Sequence, residues 1–347
     1  IQVISGTNTD TATLMISVIV DTEGDRDLDG WKDEIEAICN TDPVLFESRP
    51  SDIDGDGICD FLDSDTDGDG VKDSIELADR TDPNDPNDFN PLSRGLVAYY
   101  PFNGNANDES GNGNDLETIS GELGFDIDRF GQSNSTVSIN KTKLSPINLN
   151  GFPKGKDNFT FSTWVNIDDR NPKVSAVIFA NSKINGFQLG FNSSEYKEAP
   201  NSIGANAENP TPEFYLGESA VFGIPTNQNT TSMTFNKWHH LLIKRNDEDV
   251  SFYLNSKRIA EGKTDKPIIG DGFILGGRSD QEHLWGGKID DVRIYNRALN
   301  NLEVIELYER EKPKEPINII TSQPESGEFV EGSNVKLKIG IGNLPPI

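Results

Sequence analysis

The chain has 347 residues, a formal net charge of −27, 34% apolar residues, 32 glycines and 19 prolines. This length accommodates two or three domains, and the low apolar content argues against a single tightly packed globule. No apolar run reaches about 18 residues, so the sequence predicts no membrane-spanning helix. No basic stripe offsets the acidic charge, which disfavours nucleic acid as a partner. The chain starts at Ile1 and stops after a proline pair, as expected of a fragment of a longer protein.

Residues 9–20 combine an alternating pattern with many β-branched side chains. This pattern predicts that residues 1–20 hold the last strand of a preceding β-sandwich repeat. Negative charge then concentrates in residues 21–90, which carry 24 acidic and 5 basic side chains. So dense a block of like charge repels itself unless cations neutralise it. The sequence therefore predicts that residues 21–90 bind cations.

Two segments of this block, 25–36 and 65–76, match the twelve-residue calcium loop D-x-D-x-D-G-x5-E at every defined position. Calcium prefers six to eight oxygen ligands, which such a loop supplies from positions 1, 3, 5, 7, 9 and 12, with glycine permitting the turn at position 6. A further segment, 52–63, has the shorter Asp at position 12 and could share carboxylates with the loop that follows it. The predicted ligands are Asp25, Asp27, Asp29, Trp31, Asp33, Glu36, Asp52, Asp54, Asp56, Ile58, Asp60, Asp63, Asp65, Asp67, Asp69, Val71, Asp73 and Glu76.

The residues at position 7 of each loop would contribute a backbone carbonyl, and those at position 9 would act directly or through water. The alternative is an acidic linker without fixed structure, and we expect disorder without calcium. Cys39 and Cys59 also lie in this block. In a core-poor segment of extracellular character they predict a disulfide, the alternative being two unpaired, buried small side chains.

Only the segments that leave the two complete loops look helical, so the loops do not form paired EF-hands. The repeated DxDxDGxxD runs, the interleaved cysteines and the Thr-Asp-Pro turns at 41–43 and 81–83 resemble thrombospondin type 3 repeats. The resemblance covers residues 21–90 and implies a rod wrapped around calcium ions rather than a switch. We expect two to four calcium ions in the chain.

From residue 96 to 295, short β-rich runs alternate with turn residues, which indicates a β-sandwich or barrel. The runs are 96–102, 159–167, 175–180, 239–245, 250–255 and 288–295. A helix is predicted at about 301–310, with Leu302, Ile305 and Tyr308 at helical spacing. Residues 313–347 are predicted to form a linker and the start of an Ig-like domain.

The stretches GLVAYYPFNGNANDESGNGN, FTFSTWVNI, KWHHLLIKRND and GKIDDVRIYNRALNNLEVIELY resemble the laminin G-like, concanavalin A-like superfamily common in bacterial secreted proteins. The resemblance spans the module at 91–312. It implies a mostly β fold, an antiparallel jelly-roll sandwich of two sheets. Members often bind calcium, and many bind glycans or protein ligands.

Carried over from this family, a calcium site in the sandwich would use Asp108, Asn114 and Asp290, with Asp291 as the weaker choice. The alternative is that Asp108 only caps a turn. Three tryptophans and two histidines in strand patterns are predicted to be structural rather than sugar-binding: Trp164, Trp238, Trp285, His239 and His240. The segment 192–233 departs from the family pattern, and it is either a binding loop or a tolerated insertion.

The glycanase pattern E-x-D-x-x-E is absent, as are GxSxG, HExxH and a phosphate loop, so the sequence predicts no enzyme. The leading hypothesis is a calcium-dependent adhesion or carbohydrate-recognition region of a multidomain secreted or cell-surface protein. Its ligand would be a glycan or a surface protein, and Ig-like modules of the same chain would flank it. The alternatives are a structural spacer in a giant surface filament and an accessory binding module of a secreted polysaccharide-degrading enzyme.

Overall fold

A computed structural model describes residues 24–140, 142–167, 176–180, 187–192, 211–216, 219–222, 233–269, 273–277, 286–313, 317–322 and 340–344. The chain divides into two compact units, Ile1–Asn90 and Pro91–Ile347. The strand predicted at 9–20 lies outside the described residues, so it stays a prediction.

The described part of the first unit consists of loops, turns and two short helices, and it has little apolar core. Helix α1 (Asp33–Ile38) and helix α2 (Asp73–Asp79) leave the two complete calcium-loop motifs, as predicted. Among the described residues before Pro91, the buried apolar side chains are Pro50, Cys59 and Val71. So little apolar burial cannot by itself offset the conformational entropy of ordering the segment.

A disulfide joins Cys39 and Cys59, which confirms the predicted pairing. Cys39 caps the C-terminal end of α1, and Cys59 lies within the middle acidic segment, 52–63, so the bridge ties the helix after the first calcium motif to this second acidic segment. The two Cα atoms lie 6.5 Å apart, within the range that a disulfide spans. The covalent link supplies order where apolar burial is small.

The second unit contains two antiparallel sheets. The first sheet contains β1 (Leu96–Tyr100), β3 (Gly124–Asp126), β4 (Thr136–Asn140), β6 (Phe159–Ile167), β11 (Trp238–Asn246), β12 (Asp249–Leu254), β13 (Lys257–Lys263) and β15 (Gly286–Tyr295). The second contains β2 (Leu116–Ser120), β5 (Lys143–Pro146), β7 (Ala176–Ala180), β8 (Phe187–Asn192), β9 (Thr211–Leu216), β10 (Ser219–Phe222) and β14 (Ile274–Leu275). These antiparallel sheets confirm the predicted mostly β fold.

The first sheet runs in the order β13-β12-β11-β6-β15-β4-β3, with β1 also paired to β15. The second runs β10-β9-β8-β7-β14-β5-β2. Early and late strands therefore meet in the middle of the first sheet. The segment 192–233 contributes β9 and β10 to the edge of the second sheet, so part of it is strand rather than loop. Whether it is a binding segment or a tolerated insertion stays a prediction.

The main core lies between the two sheets because alternate side chains of each strand face inward. On β6, Phe159, Phe161, Val165 and Ile167 belong to this core, together with Leu189 of the second sheet. The intervening residues of β6 face the opposite side. The first sheet therefore presents a second face that something else must cover.

Helix α3 (Asn301–Glu311) covers that outer face of the first sheet. Asn300 and Glu303 form a capping box that satisfies backbone N–H groups at the start of the helix. Val304 and Leu307 are buried in a second apolar cluster with Leu242 and other residues of the sheet.

After the helix, β16 (Ile317–Ser322) pairs antiparallel with β17 (Gly340–Leu344). The Ig-like domain predicted for this region stays a prediction. Across the described ranges, no helix combines the length and apolar character required to cross a bilayer.

Candidate metal centres

The three acidic segments share one backbone frame, and we name them the first loop (25–36), the middle loop (52–63) and the last loop (65–76). In each, the N–H of position 9 donates to the carbonyl just before the loop, at 2.7, 2.9 and 3.0 Å respectively. The bond closes each loop at the same place. In the first and last loops, the position 9 residue is also the first residue of the short helix that follows.

Carboxylates at positions 1 and 5 organise the turn inside each loop. The position 1 carboxylate accepts from the N–H of the glycine at position 6, at 3.1, 3.1 and 3.2 Å. The position 5 carboxylate accepts from the N–H of position 7, at 2.8, 2.7 and 2.7 Å. The glycines at position 6 have φ between 91° and 104°, where a side chain would strain the backbone. The motif glycine is therefore required by this turn.

This turn brings the carboxylates at positions 1, 3 and 5 together. In each loop, one oxygen from each of the three aspartates lies within 4.8 Å of the others. The groups are Asp25, Asp27 and Asp29; Asp52, Asp54 and Asp56; and Asp65, Asp67 and Asp69. Three carboxylates so close together repel one another unless a cation lies between them.

The first and last loops add a buried glutamate from the following helix. Glu36 and Glu76 are both 0% exposed, and neither oxygen of either carboxylate has a hydrogen-bond partner. The same is true of one buried oxygen on each of five loop aspartates: Asp27, Asp29, Asp65, Asp67 and Asp69. Buried carboxylate oxygens without donors are costly unless a metal ion satisfies them. The donor set of these loops, all hard oxygens, fits calcium.

Burial and this crowding of charge raise the pKa values of carboxyl groups in the last loop. The pKa of the Glu76 carboxyl rises to about 7 because of burial and, after it, the negative charges of Asp67 and Asp69. Burial and the charge of Asp69 raise the pKa of Asp65 to about 6. In the first loop, burial and the neighbouring aspartates raise the pKa of Glu36. Each carboxyl is held in an environment that disfavours its charged form unless a cation is bound.

The aspartates at position 9 have other partners. Both oxygens of Asp33 accept from Arg26, one from its backbone N–H and one from Nε. Both oxygens of Asp73 accept from Thr66, from its N–H and its hydroxyl. Asp60 likewise accepts from the N–H of Ile53. In the structure these carboxylates close their loops by bonding to position 2, so contact with an ion through water suits them better than direct ligation.

The middle loop is more open than the other two. Asp54 and Asp56 are exposed, and Asp63, at position 12, accepts a hydrogen bond from the N–H of Asp65 at 2.9 Å. Among the described residues, none of the buried unpartnered oxygens belongs to this loop. It packs against the last loop, because a Cβ placed on Gly68 would lie 2.5 Å from an oxygen of Asp54.

In the second unit, the residues predicted to hold a sandwich calcium have other partners. The carboxylate of Asp108 accepts from the N–H groups of Tyr99, Ser110 and Asn114, so it caps its turn. Asn114 is fully buried and exchanges hydrogen bonds with the backbone of Asn150. These contacts correspond to the turn-capping alternative.

Asp290 and Asp291 instead bind Arg129, which the sequence did not single out. The two guanidinium Nη atoms donate to Asp290 at 2.6 Å and to Asp291 at 2.5 Å, and its Nε donates to the Glu311 carbonyl at 2.6 Å. The side chains of Arg129 and Asp290 are each 2% exposed. A calcium ion between Asp108 and Asp290 stays a prediction, and these contacts speak against it.

Family comparisons match both parts of this arrangement. Residues 65–86 match the bacterial TSP3 repeat, and residues 140–305 match the concanavalin A-like lectin/glucanases superfamily. The chain carries a bacterial TSP3 repeat followed by a concanavalin A-like domain. The predicted resemblance is thereby confirmed. No curated protein matches the sequence.

Solved structures similar to the chain include domain 4 of AbnA, a GH43 extracellular arabinanase from Geobacillus stearothermophilus, in complex with arabinotriose. It is 17% identical with a TM-score of 0.46, covering 61% of this chain and 98% of its own. The binding domain of Paraclostridial Mosquitocidal Protein 1 is 18% identical with a TM-score of 0.47, covering 67% of this chain and 60% of its own. The receptor binding domain of botulinum neurotoxin mosaic serotype C/D is 17% identical with a TM-score of 0.44, covering 62% and 51%. The chain thus spans about half to three-fifths of the last two.

Trp164 and His240, two of the aromatic residues predicted to be structural, lie on the face of the first sheet that α3 covers. Trp164 is 2% exposed, donates from Nε1 to Glu311 at 2.8 Å and stacks on Tyr308 of α3. His240 is fully buried, with Nε2 2.7 Å from the Ser162 hydroxyl. Its pKa falls to about 3 because of burial, so the ring is neutral at pH 7. Both side chains are structural, as predicted.

Two further predicted structural residues are less deeply placed. Trp238 is half-buried, and His239 accepts a hydrogen bond from the N–H of Thr234 at 3.1 Å. Trp285 lies outside the described residues.

Proposed function

We propose that the first unit, which contains the TSP3 repeat and is called the TSP3 unit below, is stabilised by calcium. We propose further that the concanavalin A-like domain is the recognition module of an extracellular multidomain protein. Calcium-dependent adhesion or carbohydrate recognition is the function that this combination fits best. The observation that carries the calcium part is the set of buried carboxylate oxygens without donors in the first and last loops.

The proposed ligands of the first loop are Asp25, Asp27, Asp29, the Trp31 carbonyl and Glu36. Those of the last loop are the equivalent residues Asp65, Asp67, Asp69, the Val71 carbonyl and Glu76. Bound calcium would supply a double positive charge that neutralises each group of carboxylates. Because the ion binds the folded loops better than the unfolded chain, it stabilises them by mass action.

A structural role for calcium agrees with the scarcity of apolar burial in this unit. Pro50, Cys59 and Val71 are its buried apolar side chains among the described residues, and one disulfide links its first two acidic segments. Small domains with so little core depend on disulfides or metal ions for their fold.

The recognition part rests on the concanavalin A-like family match and on the composition of the chain. The family description includes both lectins and glucanases. The sequence lacks the E-x-D-x-x-E pair of carboxylates that glycanases of this fold use for catalysis. Bacterial TSP3 repeats are typical of extracellular proteins. We therefore propose a non-catalytic, extracellular binding role with a glycan or a surface protein as ligand.

A glycan array probed with the full chain, with calcium and with a chelator, tests this role. Binding to a defined class of glycan supports it, and calcium dependence of that binding supports the adhesion form of the proposal. A chain that binds calcium but no glycan and no surface protein would favour the structural-spacer alternative instead.

A further inference from the structure

The first and last loops belong to two copies of one 26-residue unit, 25–50 and 65–90, offset by 40 residues. Both copies share the loop, the short helix, a left-handed residue after it and a Thr-Asp-Pro turn. Thr41 and Thr81 bond the glutamate carbonyl through both N–H and hydroxyl, at 2.9 and 3.3 Å in each copy. The equivalent positions can therefore be compared directly.

The turn itself is also the same in the two copies. Its first internal bond, from Leu45 or Asp85 back to the aspartate carbonyl, is 3.1 Å in both. The second hydrogen bond of the turn is donated to the carbonyl of Leu45 by the N–H of Ser48, at 2.7 Å. In the second copy it is donated to the carbonyl of Asp85 by the N–H of Asp88, at 2.8 Å. A backbone this similar carries side chains to equivalent places beside each loop. The residues that differ there set the local charge.

The first copy places cations against its loop. Arg49 Nε lies 3.6 Å from Asp29 Oδ2, an oxygen that is buried and has no hydrogen-bond donor. The guanidinium is held in place by the Phe46 ring, 4.6 Å away, and its Nε lies 3.4 Å from the Phe46 carbonyl. A second cation, Arg26, binds the position 9 carboxylate at 2.6 Å.

The second copy replaces these cations. Position 2 is Thr66 in place of Arg26, and the residue equivalent to Arg49 is Phe89. The turn instead carries Asp85 where the first copy has Leu45. The second copy therefore has an aromatic side chain in place of the cation that lies against Asp29 in the first copy.

We propose that this charge difference makes the two calcium sites unequal, with the last loop the tight site and the first loop a weaker one in which Arg49 competes with calcium. The inference rests on the proposed calcium function. A guanidinium beside a ligand oxygen lies within several ångströms of the ion, and like charges at that distance repel even in a solvent-exposed setting. Partial exposure of Arg49, at 49%, limits the effect to about threefold to tenfold in affinity.

Two full-chain backgrounds separate the sites: Glu76→Gln leaves the first loop as the complete site, and Glu36→Gln leaves the last. Calorimetric titration with calcium measures each. We expect weaker binding in the first loop, about threefold to tenfold tightening there on Arg49→Met, and no such change on Arg49→Lys, which keeps the charge. Lys156→Met, an exposed cation of the second unit, controls for net charge.

Equal affinities in the two backgrounds, or an Arg49→Met variant that binds calcium no better than Arg49→Lys, would overturn the inference while leaving the calcium function in place. A wild-type chain that takes up no calcium would overturn the proposed function and this inference together. Terbium luminescence sensitised by Trp31 at position 7 of the first loop, displaced by calcium, gives an independent reading of that site. Trp31→Phe provides its blank.

Discussion

Glu36 and Glu76 show at the scale of single residues why the loops need a cation. Each glutamate lies on a short helix and is fully buried, and neither oxygen of its carboxylate has a hydrogen-bond donor. A carboxylate in this position is neutralised by a proton or by a metal ion. The loop aspartates around each glutamate supply the remaining ligands for calcium.

Replacing Glu36 with Gln should lower the calcium affinity of the first loop by about tenfold or more, because the bidentate anionic ligand at position 12 is lost. Glu34→Gln is the matched control, since Glu34 is on the same helix but exposed. Calorimetric titration of both full-length variants measures the difference. Equal losses in the two variants would mean that Glu36 acts only through net charge.

Arg129 is the residue on which the outer face of the concanavalin A-like domain depends most. It binds two buried aspartates and the last carbonyl of α3, while Arg293 pairs with the side chain of Glu311. Arg129→Met should destabilise the domain by about 3–5 kcal/mol, since it leaves Asp290 buried without its cation, while Asp291 keeps Arg293 at 3.8 Å and the Tyr99 hydroxyl. Lys288→Met, which removes a more exposed ion pair with Asp126, should cost less than about 1 kcal/mol. Denaturant unfolding of the two variants distinguishes these values.

The lowered pKa of His240 predicts how the free energy of unfolding depends on pH. Its folded pKa is lowered to about 3 by burial, then by the charges of Arg129 and Arg293, while Asp291 acts in the opposite direction. The unfolded chain therefore takes up a proton below about pH 6.5 that the folded chain does not. This contribution should reduce stability by about 1.4 kcal/mol per pH unit as pH falls from about 6.5 towards 3. Unfolding free energies of wild type and His240→Gln between pH 7 and 4 should diverge in this way, and parallel curves would contradict the assignment.

At the scale of elements, the middle and last loops are packed against each other through glycine. Gly68 has φ +69°, and a Cβ there would meet both the carboxylate and the Cβ of Asp54. Gly55 occupies the equivalent position 4 of the middle loop with φ +78° and open space around it. The two glycines therefore share a backbone requirement but differ in their contacts.

Gly55→Ala should reduce stability by about 1 kcal/mol through the left-handed backbone alone. Gly68→Ala should lose about 1–3 kcal/mol more, because the added methyl group displaces Asp54 and separates the loops. Thermal melting of both variants in saturating calcium gives the comparison. Identical melting temperatures would show that the loops do not pack as described.

Sequence patterns predicted where the helix lies better than they predicted which of its side chains are buried. The helix at 301–310 was predicted from Leu302, Ile305 and Tyr308, yet Leu302 is 77% exposed and Ile305 47% exposed. Val304 and Leu307 are the residues that pack on the sheet, where they meet Leu242 and Tyr295, and the helical spacing alone did not distinguish them from Leu302 and Ile305. Strands β9 and β10 were missed because their segment is rich in Asn, Ser and Pro, and pairing with β8 overrides that local preference.

At the scale of the whole molecule, the two units differ in what could be predicted of their sites. The calcium loops are local, so the spacing of aspartates within twelve residues was enough to indicate them. The contacts of Asp290 depend on Arg129, 161 residues away in sequence, and no local pattern indicates that pairing. Asp108 was assigned to calcium by family resemblance, whereas its turn satisfies both carboxylate oxygens with backbone N–H groups.

The division of the chain into Ile1–Asn90 and Pro91–Ile347 places the calcium loops in one unit and the large apolar core in the other. The first unit should therefore depend on calcium for its order, while the second folds around its own core.

Hydrogen exchange of the full chain, measured by mass spectrometry with calcium and with a chelator, measures how far the order of each unit depends on calcium. We predict that calcium slows exchange in peptides covering 25–36 and 65–76 by at least about tenfold, whereas peptides from β6, β11 and β15 keep the same protection in both conditions. Unchanged exchange in the two loops, or an equal gain of protection throughout both units, would contradict the account.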